Sequence, residues 1–260
     1  MTATLLTLFP RLTLVQRESK LSQLLNDNDP PQSSPAAASQ SCGGVPLTHA
    51  ITECERRLRA DGPCDESERA GAEWRCLEHW CREVGLWLAV GEGPEREGGR
   101  EHDVRFDPAA RRWIKFTKPW MAGYTVDLEG EPLLLPATPL GYLNRMEAQN
   151  QVFGDDVRFL GLWEDPAGLR MVISQPDWIG EAPTFDDIEQ SLHAQGFRRL
   201  DLPPLGNYEA RAYLGGEIAL FDVHPRNCIL ESSELLMPFD CIVVGLTHAE
   251  AARLALRLMA

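Results

Sequence analysis

The sequence predicts an α+β protein of two lobes, the second one reduced, behind a helical extension and a disordered N-terminal segment. Three observations predict it. A β-rich stretch with one helix in its middle runs from about residue 91 to Pro176. A Pro-marked connector then leads into a second mixed stretch, residues 177–260. Before residue 48 the composition changes to one that cannot build a core.

From Asn26 to Ser41 the chain reads Asn-Asp-Asn-Asp-Pro-Pro-Gln-Ser-Ser-Pro-Ala-Ala-Ala-Ser-Gln-Ser, and this character continues to Pro46. Ordering such a stretch costs more entropy than burial returns, so residues 1–47 are expected to be a tail and disordered linker. Met1 to Thr13 is apolar only in short bursts, has no basic flank, and is cut by Pro10 and Arg11, so no signal peptide is expected. No segment approaches the ~18 apolar residues of a membrane span. The expected location is the cytoplasm.

Residues 48–90 are expected to be a helical extension. Thr48 to Leu58, and then Trp74, Leu77, Trp80, Cys81, Val84 and Leu88, recur at three- and four-residue steps, with Asp61-Gly62-Pro63 as the break between two helices. Trp74 and Trp80 at this spacing are read as packing against a neighbouring sheet.

After Gly91 the period changes. His102–Phe106 and Arg112–Thr117 form a hairpin around Asp107-Pro108-Ala109-Ala110, Tyr142–Phe153 reads as a helix, and Val157–Trp163 with Leu169–Ser174 form a second strand pair. Thr184 caps a helix through Gln195, with Asp187 three residues on as in a capping box. Strands follow near 197–200, 208–214, 217–222, 228–230 and 241–244. Thr247 caps a last amphipathic helix to Met259.

Composition excludes some functions. A net charge of −14, from 39 acidic against 25 basic residues, opposes direct binding to nucleic acid or an anionic membrane. The seven cysteines contain no Cys-x-x-Cys pair, which fits reduced thiols. Cys76, His79 and Cys81 do not have a zinc spacing and diverge around a helix.

The chemistry concentrates in Phe221-Asp222-Val223-His224-Pro225-Arg226-Asn227 and, after a short apolar hairpin, Pro238-Phe239-Asp240-Cys241. An Asp, an Asn five residues later and a second Asp beyond are the layout with which kinase-like folds orient a phosphate acceptor and bind Mg²⁺. On that layout Asp222 orients the acceptor hydroxyl, while Asn227 and Asp240 supply hard oxygens to Mg²⁺. Lys115, central in Trp113-Ile114-Lys115-Phe116-Thr117, is placed to reach the phosphates of ATP, or else faces solvent on an edge. Glu147, the one acid between Tyr142 and Gly154, is its candidate helix partner by elimination, or a solvated helix residue. Glycines from Gly91 to Gly99 supply a loop just before a strand.

From about Trp74 to Val244 the chain resembles the serine/threonine/tyrosine kinase family found in polyvalent proteins of phages and conjugative elements. The likeness is carried by Gly98-Gly99-Arg100-Glu101-His102-Asp103-Val104, Ile114-Lys115-Phe116-Thr117-Lys118-Pro119, Tyr142-Leu143-Asn144-Arg145, Asn150 and Phe153-Gly154-Asp155-Asp156. It continues in Ser174-Gln175-Pro176, Gly196-Phe197 and the two Asp-bearing motifs. The resemblance implies ATP phosphates near Gly98 and Gly99, Lys115 on those phosphates, Ser174 and Gln175 in the adenine-side hinge, and chemistry at Asp222, Asn227 and Asp240. It also implies a reduced, two-lobed protein-kinase-like fold, with residues 91–176 as the first lobe and 177–260 as the second. Glu147 is not part of the family pattern.

The chain departs from ordinary protein kinases. Leu220-Phe221 precedes Asp222, Cys241-Ile242 follows Asp240, and no Ala-Pro-Glu follows. The expected activity is an ATP- and Mg²⁺-dependent phosphotransfer to an acceptor, protein or small molecule, that the residues do not identify. The alternative is a catalytically inactive pseudokinase acting as a nucleotide-binding or interaction module. A two-metal phosphoesterase built on Asp222 and Asp240 lacks the additional acids and His such sites recruit.

Overall fold

The protein is described by a computed structural model over residues 43–89, 93–231 and 235–259, so the expectations for residues 1–42 and for Gly91 lie outside the described residues. Helical periodicity does form two helices, Leu47–Asp61 (α1) and Glu66–Val84 (α2). They bury Leu47, Ala50 and Cys54 from one, and Cys76, Leu77, Trp80 and Cys81 from the other. Gly62 and Pro63 separate them, and left-handed Gly85 ends α2 with its N–H on the Cys81 carbonyl.

Both helices pack on Pro139–Phe153 (α3), which starts where the Thr138 hydroxyl accepts from Gly141 N and Pro139 takes the first turn. Glu73 ties α2 to that start. Fully buried, it accepts from Leu140 N at 2.8 Å and from Arg69 Nε at 3.0 Å, setting a negative charge at the donor end of α3.

Beside these helices lies an antiparallel sheet of Val45–Pro46 (β1), His102–Asp107 (β2), Arg112–Thr117 (β3), Arg158–Asp165 (β6) and Gly168–Pro176 (β7), in the order β1-β6-β7-β3-β2. Strand alternation sorts its two faces. Tyr142, Leu143, Phe159, Met171 and Ile173 share a core with α1 and α2, and Trp80 stacks on Phe159 with ring centroids 6.0 Å apart. Ile114, Phe116 and Val172 form a separate cluster with Trp163 on the other face. Lys115 lies opposite Ile173 in register and so points to the α3 side.

Tyr124–Asp127 (β4) and Leu133–Pro136 (β5) make a hairpin that the sequence reading did not anticipate. Val45–Pro46 likewise belongs to the sheet, paired with Phe159 and Arg158, and not to the linker.

The C-terminal half is built on Arg198–Arg199 (β8), Arg211–Gly215 (β9), Ile218–Val223 (β10) and Ile242–Gly245 (β13), ordered β13-β10-β9-β8. Phe185–Ala194 (α4) and His248–Ala255 (α5) both begin with complete capping boxes, at Thr184/Asp187 and Thr247/Glu250. Cys228–Leu230 (β11) pairs with Leu236–Pro238 (β12). The last helix stops at Ala255, short of the expected Met259, because the chain beyond it turns to pair with another segment: Asp201 N donates to Arg257 O and Met259 N to Arg199 O.

Among the described residues, five α-helices and several antiparallel sheets thus make a mixed α/β fold, and no helix is long and apolar enough to cross a membrane. Glu73→Ala removes the acceptor of Leu140 N and should cost about 2 kcal/mol of unfolding free energy. It would be read as a lower urea midpoint at unchanged slope; Glu73→Gln, whose amide oxygen still accepts, should lose less.

Candidate functional site

Two ladders bring the sequence-predicted carboxylates together. β10 pairs with β13 up to Phe221↔Ile242, so Asp222 at the end of one strand faces the residues just before the other. β11 pairs with β12 up to Cys228↔Pro238, and Phe239 N continues the contact by donating to Asn227 O at 3.0 Å. Asn227 and Asp240 therefore flank the same hairpin end.

Asp222 lies in a bulge, since Phe221 and Asp222 together face the one β9 residue between Tyr213 and Arg211. Its φ is +55°, a left-handed value that costs a non-glycine residue energy and re-aims its side chain. The carboxylate is then fixed by three neighbours while staying partly open to solvent. Oδ1 accepts from Asn207 N at 2.8 Å, and Oδ2 accepts from Asn227 Nδ2 at 3.3 Å. His224 Nε2 stands 3.8 Å from Oδ1, while its Nδ1 accepts from Arg226 N at 3.2 Å, which leaves the ring proton on the nitrogen facing Asp222. Gly206 permits this approach, because a Cβ there would meet Asp222 Cγ at 2.5 Å.

Asn227 directs Nδ2 at three oxygens, Asp222 O at 3.0 Å, Asp222 Oδ2, and Asp240 O at 3.3 Å. Its Oδ1 accepts no hydrogen bond among the described residues and remains a free hard donor. Lys115, almost fully buried, donates to Phe239 O at 3.0 Å and to Asp240 Oδ1 at 3.2 Å. Lys115, Asp222, Asn227 and Asp240 thus meet in one place.

A second layer stands behind Asp240. His102 lies 3.7 Å from Asp240 Oδ1 and 3.9 Å from Glu101 Oε2 through Nδ1, and its Nε2 is 2.7 Å from the Tyr142 hydroxyl. Arg145 of α3 grips Glu101 through both guanidinium NH groups, one of them 2.9 Å from Oε2, and Glu101 Oε1 also accepts from Tyr124 N.

These surroundings drive the two aspartates apart. Burial pushes the Asp222 carboxyl up from its usual range, only partly offset by the Asn207 N–H. Burial also pushes Asp240 up, but Lys115 first, then His102 and Arg145, bring it below the usual range. Burial holds His102 and His224 below the ordinary histidine value.

Other expected site residues sit elsewhere or act differently. Glu147 accepts from Gln151 Nε2 at 2.9 Å and makes no ion pair with Lys115; the acid facing Lys115 is Asp240, and α3 turns Arg145 inward toward Glu101. The side chain of Ser174 accepts from Arg112 Nε at 3.1 Å, tying β7 to β3, and that of Gln175 donates to buried Asp155 at 2.5 Å, tying β7 to the loop after α3. Any hinge role there belongs to the backbone. Gly98 N donates to Asp103 Oδ1 at 3.3 Å, and a Cβ on Gly98 would strike His102 O at 2.2 Å. Gly99 faces open space, and beside it Arg100 Nη1 reaches Gly206 O at 3.5 Å, next to the Asp222 anchor.

Glu101, His102, Arg145, Gly206 and Asn207 had no assigned role in the sequence. Glu101-His102 next to a candidate phosphate loop was the available signal; Gly206-Asn207 reads as an ordinary turn.

Compared with family models, curated proteins and solved structures, the chain gave no match. What the site can do therefore has to be argued from its geometry.

For stability, an acid whose folded pKa is raised costs the folded state free energy as pH climbs through the usual Asp range to the folded value. Asp222→Asn should therefore unfold at a higher temperature than the parent at pH 7. That advantage should shrink as pH falls from the raised folded value and be gone below about 4, where the unfolded-state Asp is protonated as well. Equal melting temperatures across the range would contradict the assigned environment of Asp222.

Proposed function

We propose that the protein is an ATP- and Mg²⁺-dependent phosphotransferase of reduced kinase-like fold, akin to the kinase family of polyvalent proteins. The observation that carries this is the convergence of Lys115, Asp222, Asn227 and Asp240 from separate segments of the chain. Sheet order gives further support: a Lys-bearing strand between β2 and β7, a helix inserted before β6, and the Asn-bearing and Asp-bearing turns joined by a short hairpin.

The donor set fits the metal. Asn227 Oδ1 accepts no hydrogen bond among the described residues, and the lowered pKa keeps Asp240 ionised, which together offer the hard oxygens Mg²⁺ takes. The bound Mg-nucleotide would supply the transferable γ-phosphoryl group. Asp222, with its raised pKa and an orientation fixed by Asn207, Asn227 and His224, would hold the acceptor hydroxyl and take its proton. Two carboxylates in one site with opposite shifts are the pattern expected when one is base and the other ligand. Lys115, paired with Asp240 in the absence of phosphates, would turn part of its charge to the nucleotide.

One observation favours a second reading. Among the described residues no helix acid meets Lys115, the pairing on which protein kinases rely for activity, so a nucleotide-binding module without turnover is the alternative.

Purified protein with Mg²⁺ and γ-labelled ATP separates them. The expected outcome is label transfer or ATP loss that drops at least about 100-fold in Asp222→Ala and in Asp240→Ala. Equal rates in all three proteins would contradict phosphotransfer, and a Mg²⁺-dependent rise in melting temperature with no turnover would select the module.

A further inference from the structure

The proposed nucleotide site takes its metal ligands from Asn227 and Asp240, yet Asp240 Oδ1 also faces a nitrogen donor, His102 Nδ1 at 3.7 Å. One ligand atom each from Glu101, His102 and Asp240 lie within 4.8 Å of one another. His102 is only 4% exposed, and its Nδ1 has no hydrogen-bond partner among the described residues, although it aims between two carboxylates.

The other ring nitrogen is already arranged for one. His102 Nε2 meets the Tyr142 hydroxyl at 2.7 Å, so the ring proton can reside on Nε2 while Nδ1 keeps its lone pair. The backbone produces this arrangement: His102 stands opposite Thr117 in register and Val104 opposite Lys115, so alternation turns His102 and Lys115 to the same α3-facing side. Glu101 is prevented from swinging away by Arg145 and Tyr124 N.

We propose that Glu101, His102 and Asp240 form a transition-metal site that selects Mn²⁺ over Mg²⁺. His102 Nδ1 and Asp240 are direct ligands, and Glu101 Oε2 is the third donor. This deepens the proposed function and rests on its assignment of Asp240 as a metal ligand, but not on transfer of a phosphoryl group. Mn²⁺ accepts a nitrogen donor beside its oxygens, though least tightly of the first-row transition ions, while Mg²⁺ takes oxygen donors and gives up its water reluctantly, so a nitrogen in the set discriminates between these two. Lys115 and Arg145 balance the two carboxylates, which keeps the empty-handed cluster near neutrality.

The test uses the full chain with MnCl₂ alone. Pulsed electron paramagnetic resonance of bound Mn²⁺ should show ¹⁴N modulation from a directly ligated imidazole, a readout that needs no variant. Competition should show Mn²⁺ binding at least about tenfold tighter than Mg²⁺, and His102→Gln should lose that preference and the ¹⁴N signal. Tyr142→Phe, which frees the ring without removing it, should weaken Mn²⁺ binding while retaining the ¹⁴N signal. Mn²⁺ that binds with no nitrogen coupling, or no binding at all, would overturn the proposal. Loss of the ¹⁴N signal with labelled-ATP turnover intact would leave the phosphotransferase reading standing, and a clear ¹⁴N signal without turnover would do the reverse.

Discussion

The ammonium group of Lys115 is the fixed point around which the site is arranged. A cation this deeply buried is tolerated only with a counter-charge and hydrogen-bond acceptors, and both come from far along the chain, at Phe239 O and Asp240. The contact joins the five-stranded sheet to the β12–β13 turn. It also places Asp240 against His102, and thereby links Glu101 and the Arg145 and Tyr142 side chains of α3 to Asn227 and Asp222.

Around that point the chain accepts local costs that packing alone does not explain. Asp222 takes a left-handed backbone at a bulge, Gly206 is pressed against its carboxylate, and a carboxylate is held where burial disfavours its charge. Asp240, in contrast, is eased into its charged form by Lys115. Hydrogen bonds from Asn207 and Asn227 make the strained arrangement a single defined one. Such unequal treatment of two neighbouring carboxylates suits a site that must keep one ionised and let the other exchange a proton.

Much of the fold was legible because its signals are local. Three- and four-residue spacing located α1 and α2, turn residues at Asp107-Pro108 located the first hairpin, and Thr184 and Thr247 announced helix starts. The Asp222, Asn227 and Asp240 spacing was equally local, fixed by one turn and one hairpin. What stayed hidden depends on distance in sequence. Lys115 and Asp240 are 125 residues apart, so nothing in the helix itself could reveal that Glu147 would be passed over. Glu101 and Arg145 are 44 residues apart and meet only because β2 and α3 share a face. Val45–Pro46 and the Tyr124–Pro136 hairpin carry too few residues, or too even an apolar run, for period to identify them. The final turns were misjudged because pairing of Arg257 and Met259 with residues 199–201 outcompetes the helix.

The central claim is that Lys115 and Asp240 act as one unit, and a double-mutant cycle measures it directly. Unfolding free energies of the parent, Lys115→Met, Asp240→Asn and the double variant, taken without nucleotide or metal, give their coupling. With Asp240 partly open to solvent, the account predicts a coupling of about 1 kcal/mol, the double variant being less destabilised than the sum of the singles. Strict additivity would mean that the two charges do not hold one another, and would contradict it.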